Sequence, residues 1–350
     1  MYKKRHLILF VLFFSTIFLA ACGSSVAPDE VIPSNEEEGA SAKICEVTDV
    51  GGIDDKSFNA TAWAGVQQAA ADLGVEGQFL ESQQQTDYEA NITAFMDEGC
   101  DLIISIGFLL GDATEEAAEN NPDQNFAIID FAYDPGYDNV LGIVFATDQA
   151  AFLAGYAAAA TTQTGIVGTF GGIKIPSVTV FMDGYVYGVE YYNQQNDADV
   201  EVLGWEPGVE DGLFAGNFES LDDGRTLAIS LMNEGADVIM PVAGPVGLGA
   251  AAAVQESGEA WIIGVDSDWT QSSPEYADVI LTSVLKRSDS AIYQITEELL
   301  AGDFSGGLYL GTLKNDGVGI APLTNFDGNI DDELAALVED IIAGDLQTAP

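Results

Sequence analysis

The chain has 350 residues, of which 57 are Asp or Glu and only 10 are Lys or Arg, for a formal charge of −47. So anionic a surface repels nucleic acid and acidic headgroups, and the length allows two ordinary domains or one two-lobed unit. The single histidine is His6, near the amino end, which excludes Ser-His and Cys-His nucleophiles and histidine metal sites from the rest of the chain.

Lys3, Lys4 and Arg5 precede an apolar run from Leu7 to Ala21 that ends in Leu19-Ala20-Ala21-Cys22. A basic start, an apolar centre and small residues at the end make a secretory signal. The run is shorter than the roughly 20 residues that span a bilayer. Its Leu-Ala-Ala-Cys ending resembles a bacterial lipobox, which implies removal of residues 1–21 and lipidation of Cys22. A lipid at Cys22 would anchor the protein to the cell membrane on the extracytoplasmic side, in the periplasm or at the cell surface. A plain signal peptide or a single anchoring helix is the alternative. Residues 22–42 are rich in Ser, Pro, Gly and Glu and read as a disordered tether.

From Lys43 onward, short apolar runs alternate with helical periodicity. Strands are expected at 44–48, 78–81, 102–106 and 126–131, with helices at 57–73, 88–98 and 112–120. The rhythm then restarts with an Ala-rich helix over 151–161. Strands at 165–170, 200–203, 238–241, 261–265 and 280–284 alternate with helices at 177–196, 224–233, 249–256 and 288–300, and a helix over 333–342 closes the chain. Strands separated by helices imply right-handed crossovers and parallel sheets. Two such units in series make a bilobal α/β protein, with ligand bound beyond the carboxyl ends of the strands.

Cys45 and Cys100 remain besides Cys22. An even pair in an exported chain suggests a disulfide, two buried thiols being the alternative. Removing Lys3, Lys4 and Arg5 from the ten cations leaves seven: Lys43, Lys56, Lys174, Arg225, Lys286, Arg287 and Lys314. Each is a candidate for a local task.

Three strand ends carry chemistry. The first is Thr48-Asp49-Val50-Gly51-Gly52-Ile53-Asp54-Asp55-Lys56-Ser57-Phe58-Asn59, where glycines permit a sharp turn and Asp55 or Ser57 caps the helix. The others are Gly264-Val265-Asp266-Ser267-Asp268-Trp269 and Ser283-Val284-Leu285-Lys286-Arg287. A carboxylate accepts hydrogen bonds from two adjacent hydroxyls and an ammonium donates to the same oxygens, so these ends suit a ligand rich in hydroxyls. Phe58 fits either a ligand-facing place or the core of its helix, and Asp49 and Asp130 fit either a ligand or a turn. Gly244–Gly249 lacks the Gly-x-Gly-x-x-Gly spacing of a dinucleotide loop. Residues 327–332 lack the Gly and Glu positions of a calcium loop and read as a turn before the last helix.

In order, these stretches resemble the basic membrane protein (BMP) family of lipoproteins, purine-nucleoside receptors and substrate-binding proteins of ABC importers. Further pieces of the resemblance are 125–130 (Asn-Phe-Ala-Ile-Ile-Asp), 152–155 (Phe-Leu-Ala-Gly), 181–184 (Phe-Met-Asp-Gly) and 235–239 (Gly-Ala-Asp-Val-Ile). It implies a type I periplasmic-binding fold, α/β, with two Rossmann-like lobes joined by a three-strand hinge. Lobe 1 would comprise 43–148 plus about 286–308, and lobe 2 about 149–285 plus about 309–325, with 326–350 a helix packed on them. The resemblance implies that Asp49, Phe58 and Asp130 hold the base and that Asp266 and Lys286 bind the ribose hydroxyls. Met240 stands where the family often has an aromatic wall, and Pro245 removes a backbone donor beside it, which leaves the class of base open. Asn59, Phe218, Gly244 and Trp269 are further candidate lining residues. No catalytic residue, metal or cofactor is implied. The expected partners are a nucleoside, an ABC permease and the membrane through the lipid, with no nucleic acid, for a protein acting as a monomer. A nucleoside or small-ligand sensor not coupled to transport is the alternative function.

Overall fold

The protein's structure, a computed structural model, describes residues 41–326 and 328–349. Cys22 and the expected tether as far as residue 40 lie outside the described residues. The first half runs β1 (Lys43–Val47), α1 (Phe58–Leu73), β2 (Glu76–Leu80), α2 (Tyr88–Asp97), β3 (Leu102–Ile106), α3 (Gly111–Asn120), β4 (Asn125–Ile129) and β5 (Val140–Phe145). The second runs α4 (Thr147–Thr161), β6 (Ile166–Gly171), α5 (Pro176–Asn196), β7 (Glu201–Leu203), β8 (Trp205–Glu206), β9 (Asp211–Gly212), α6 (Leu221–Asn233), β10 (Val238–Val242), α7 (Pro245–Ser257), β11 (Trp261–Asp266), α8 (Trp269–Ser272) and β12 (Ile280–Lys286). The chain closes with α9 (Ser288–Ala301), β13 (Gly307–Gly311), β14 (Val318–Ile320) and α10 (Asp331–Ala343).

Two six-stranded sheets result, in the orders β13-β5-β4-β3-β1-β2 and β14-β12-β11-β10-β6-β7. Every pairing within them is parallel except β12 with β14. β3 is apolar apart from Ser105 and buried at all five positions, as a parallel strand covered on both faces requires. Cys45 of β1 and Cys100, just ahead of β3, are joined as a disulfide with Cα atoms 6.1 Å apart. Among the described residues no helix is long and apolar enough to cross a membrane.

The chain passes between the sheets three times: from β5 into α4, from β12 through Arg287 into α9, and from β13 into β14. Strand β13 pairs with β5 along its whole length, and the chain changes sheet after Gly311. The strand β5 was not among the expected elements; nor were the edge strands β13 and β14 or the hairpin β8–β9. Helix α7 begins at Pro245 rather than 249. Gly244 has φ +53 ahead of it, and proline at the first helical position is pre-set for helix. Helix α10 packs Leu334, Leu337 and Ile341 against Phe152, Leu153 and Tyr156 of α4. Asn329 Oδ1 accepts from the Asp331 N–H at its start (3.1 Å).

Candidate ligand-binding site

Parallel strands aim their carboxyl ends the same way, and four of those ends deliver charged side chains to one cavity. Asp49 follows β1, Asp130 follows β4, Asp266 ends β11 and Lys286 ends β12. Asp130 and Asp266 both adopt left-handed backbone, at φ +67 and +68. That conformation is uncommon for a residue with a side chain and clusters at functional sites. The space between these strand ends, its open mouth counted, is about 590 Å³. Its lining includes Asp49, Phe58, Asn59, Asp130, Phe218, Gly244, Asp266 and Lys286, eight of the residues singled out from the sequence.

Met240 and Trp269 do not line it. Met240 is fully buried inside the second sheet, where its carbonyl accepts from Thr169 Oγ1 (2.8 Å). The cavity lies beyond the strand end, so Val242, two residues on and on the same face, reaches it instead. The Trp269 ring is also fully buried. It fills space left by Gly264 and Gly247, at both of which a Cβ would lie under 3 Å from the ring, and its Nε1 donates to Val265 O (3.0 Å). It is a core plug behind β11.

Phe108 and Phe181 are lining residues that the sequence reading did not assign to the site. Phe108 follows Gly107, at φ +117, beyond the end of β3, a strand end of the same kind as the other four. Phe181 lies in the 181–184 stretch, where it reads as the apolar face of a helix.

Lys286 Nζ sits 2.7 Å from Asp130 Oδ2 and 3.7 Å from Asp266 Oδ1. It also lies 4.7 Å from the centre of the Phe58 ring and 5.2 Å from that of Phe181, within cation–π range. Burial alone would lower the amine, but the Asp130 and Asp266 carboxylates hold it above its ordinary value, so it stays charged. Burial raises Asp130, and Lys286 offsets part of the rise.

Asp49 Oδ1 accepts from the Gly51 N–H and from Asn59 Nδ2, both at 2.8 Å. Burial raises its carboxyl, and those two donors pull it back. Ser57 Oγ reaches across to Asp266 Oδ2 (2.9 Å) and Val265 O (3.0 Å). The charged groups lining the cavity are four carboxylates (Asp49, Asp55, Asp130, Asp266) and one amine. Since carboxylates accept and ammonium donates, this lining suits a ligand rich in hydrogen-bond donors, with apolar faces to meet the phenylalanines.

The fold and this interlobe cavity define a two-lobed solute-binding protein. The family described as "ABC transporter substrate-binding protein PnrA-like" (Bmp) matches residues 42–348, and the chain belongs to that family. It is 34% identical to the "CD4+ T-cell-stimulating antigen" of Listeria innocua, over 99% of this chain and 98% of that protein. It is 31% identical to the "ABC transporter nucleoside-binding protein BmpA" of Lactococcus lactis, covering 89% of this chain and 92% of the relative. Among solved structures, a solute-binding protein of an ABC transporter system from Aeropyrum pernix superimposes with a TM-score of 0.78 at 30% identity, over 87% of this chain and 92% of that one.

Proposed function

We propose that this protein is a lipid-anchored extracytoplasmic receptor that closes its two lobes on a nucleoside and delivers it to an ABC importer. The observation that carries this reading is the placement of Phe58 beside a buried Asp130–Lys286–Asp266 cluster in one cavity between the sheets. A flat apolar ring suits the phenylalanine, stacking on an aromatic being worth roughly 1–3 kcal/mol per base in nucleic-acid systems. A vicinal diol supplies two donors to Asp266 and an acceptor to Lys286. The nucleoside-binding relative supports the ligand class, and the Cys22 motif supports the anchor.

Calorimetry with adenosine, guanosine, inosine and cytidine tests the ligand. At least one should bind, and Asp266→Ala should weaken that binding about a hundredfold while circular dichroism reports an intact fold. A ligand hydroxyl left without its buried partner costs on the order of 2–3 kcal/mol, about a hundredfold in affinity. Unchanged affinity in Asp266→Ala would take Asp266 out of the site. Recovery of Cys22→Ala in the soluble rather than the membrane fraction tests the anchor, and uptake of labelled nucleoside by cells lacking the protein tests delivery.

A further inference from the structure

Helix α1 is capped in an unusual way. Ser57 occupies the N-cap but makes no capping bond with its side chain. Asp55, two residues earlier, does that work: its Oδ1 accepts from the N–H groups of Ser57 (2.9 Å) and Ala60 (3.0 Å), and its Oδ2 from the N–H of Asn59 (2.8 Å). The Ser57 hydroxyl is thereby free to reach Asp266 on the second sheet. Asp55 Oδ2 also accepts from Asn59 Nδ2 (3.2 Å), the same amide that donates to Asp49 Oδ1. One buried carboxylate therefore holds the backbone of Ser57 and both the backbone and the side chain of Asn59, the two residues whose side chains grip Asp266 and Asp49.

We propose that Asp55 is a positioning residue for ligand capture, setting Asp49 through Asn59 and Asp266 through Ser57, so that binding is strong only while Asp55 is ionised. This rests on the reading of the cavity as a nucleoside site. Burial raises the Asp55 carboxyl to about 7, against the pull of the three backbone donors. The ionisable groups around it are Glu46 on β1, Asp49 beyond β1, Asp54 and Lys56 beside it in the loop, and Glu81 after β2, which accepts from Ile53 N–H. Across the cavity stand Asp130, Asp266 and Lys286. Glu46 is fully buried with neither carboxyl oxygen hydrogen-bonded, and burial, with the charge of Asp55 adding to it, holds it well above the usual carboxylate range. Protonating Asp55 weakens its acceptance of all four donors and loosens Ser57 and Asn59 together.

The test has two arms on the purified full chain. Inosine affinity, measured by calorimetry between pH 5.5 and 8.5, should weaken about fivefold from pH 8 to pH 6 as one proton is taken up. Asp55→Asn should bind about tenfold more weakly at pH 8 with a flat profile, and Asp55→Ser, which keeps one capping acceptor, should recover part of the loss. In the second arm, carboxyl-carbon NMR of the ligand-free wild type should show the signals of Asp49 and Asp266 shifting with a midpoint of about 7, together with that of Asp55. Wild-type affinity and pH profile in a folded Asp55 variant would overturn the proposal. So would Asp49 and Asp266 signals that ignore the Asp55 transition. If inosine and the other nucleosides fail to bind the wild type at every pH, the nucleoside reading falls, and the NMR arm, which needs neither ligand nor variant, decides whether Asp55 positions the pair.

Discussion

Lys286 draws its partners from both sheets, Asp130 from the first and Asp266 from the second, and all three side chains are at least nine-tenths buried. Removing one member of such a cluster leaves charge without compensation, which costs about 3–5 kcal/mol. Lys286→Met should therefore lower the urea midpoint strongly at pH 8. The loss should shrink toward pH 5, because Asp130, already raised by burial, takes up a proton more readily once Lys286 is gone; equal losses at both pH values would refute this. Asp55 gives a second pH effect. In the unfolded chain its carboxyl titrates near 4, and in the folded protein at about 7. The folded state thus binds the extra proton between those values, and stability falls as pH rises through that window, by on the order of 4 kcal/mol for this group. Glu46 and Asp49, raised by burial as well, slope the same way. Thermal unfolding should come at a higher temperature at pH 5 than at pH 8, and Asp55→Asn should narrow the gap. Much of the site was legible because strand ends announce themselves: an apolar run, then a turn, then an acid or amine, as at Asp130 and Lys286. Depth was not legible. Met240 and Val242 share a face of β10, and only the fold shows that the cavity begins beyond Val242.

At the scale of elements, α4 and α5 cross with their backbones nearly touching. A Cβ built on Gly184 would lie 2.3 Å from Asp148 O, one on Gly188 2.0 Å from Phe152 O, and one on Gly155 2.1 Å from Tyr185 O. The 152–155 and 181–184 stretches of the sequence resemblance thus supply two of the glycines of a helix crossing, with the Phe181 ring reaching the cavity from the same segment. Gly188→Ala should destabilise by about 1–3 kcal/mol through forced separation of the helices. The urea midpoint would read this, with Gly208→Ala as the control, since a Cβ there meets nothing within 4 Å. A midpoint unchanged from wild type would show that the helices separate at no cost. The alternation of strands and helices was readable over most of the chain, and the strands that escaped did so for separate physical reasons. Strand β14 has only three residues, too few for a period to show. Strand β13 is an edge strand with Leu308 and Leu310 exposed, so its apolar residues do not mark a buried face. Strand β5 lies between turn-forming residues, and its Gly142 backs onto Phe131 O, a packing constraint visible only in three dimensions.

Over the whole molecule, the charge of −47 meets two sheets linked by three chain crossings and a few polar bridges. Those bridges include Lys56 Nζ to Glu275 Oε1 (2.7 Å) and Ser267 Oγ to Lys56 O (3.0 Å). Attraction is scarce, because 57 acids face ten cations, whereas repulsion between carboxylates is general and favours expansion. The Debye length shrinks from about 30 Å at 0.01 M salt to about 3 Å at 1 M, so salt screens the many long repulsions. The buried Lys286 cluster is shielded from it. Raising NaCl from 10 mM to 1 M should therefore increase the melting temperature by several degrees, each kcal/mol being worth roughly 1.5 °C in a chain of this size. Inosine is uncharged, so its dissociation constant should move far less than the stability does over the same range. Scanning calorimetry and ligand titration on one salt series separate the two effects. A melting temperature that falls with salt would mean that the exposed ion pairs outweigh the acid excess, and an affinity that weakens in step with screening would place the ligand's contacts at the surface rather than in the cavity.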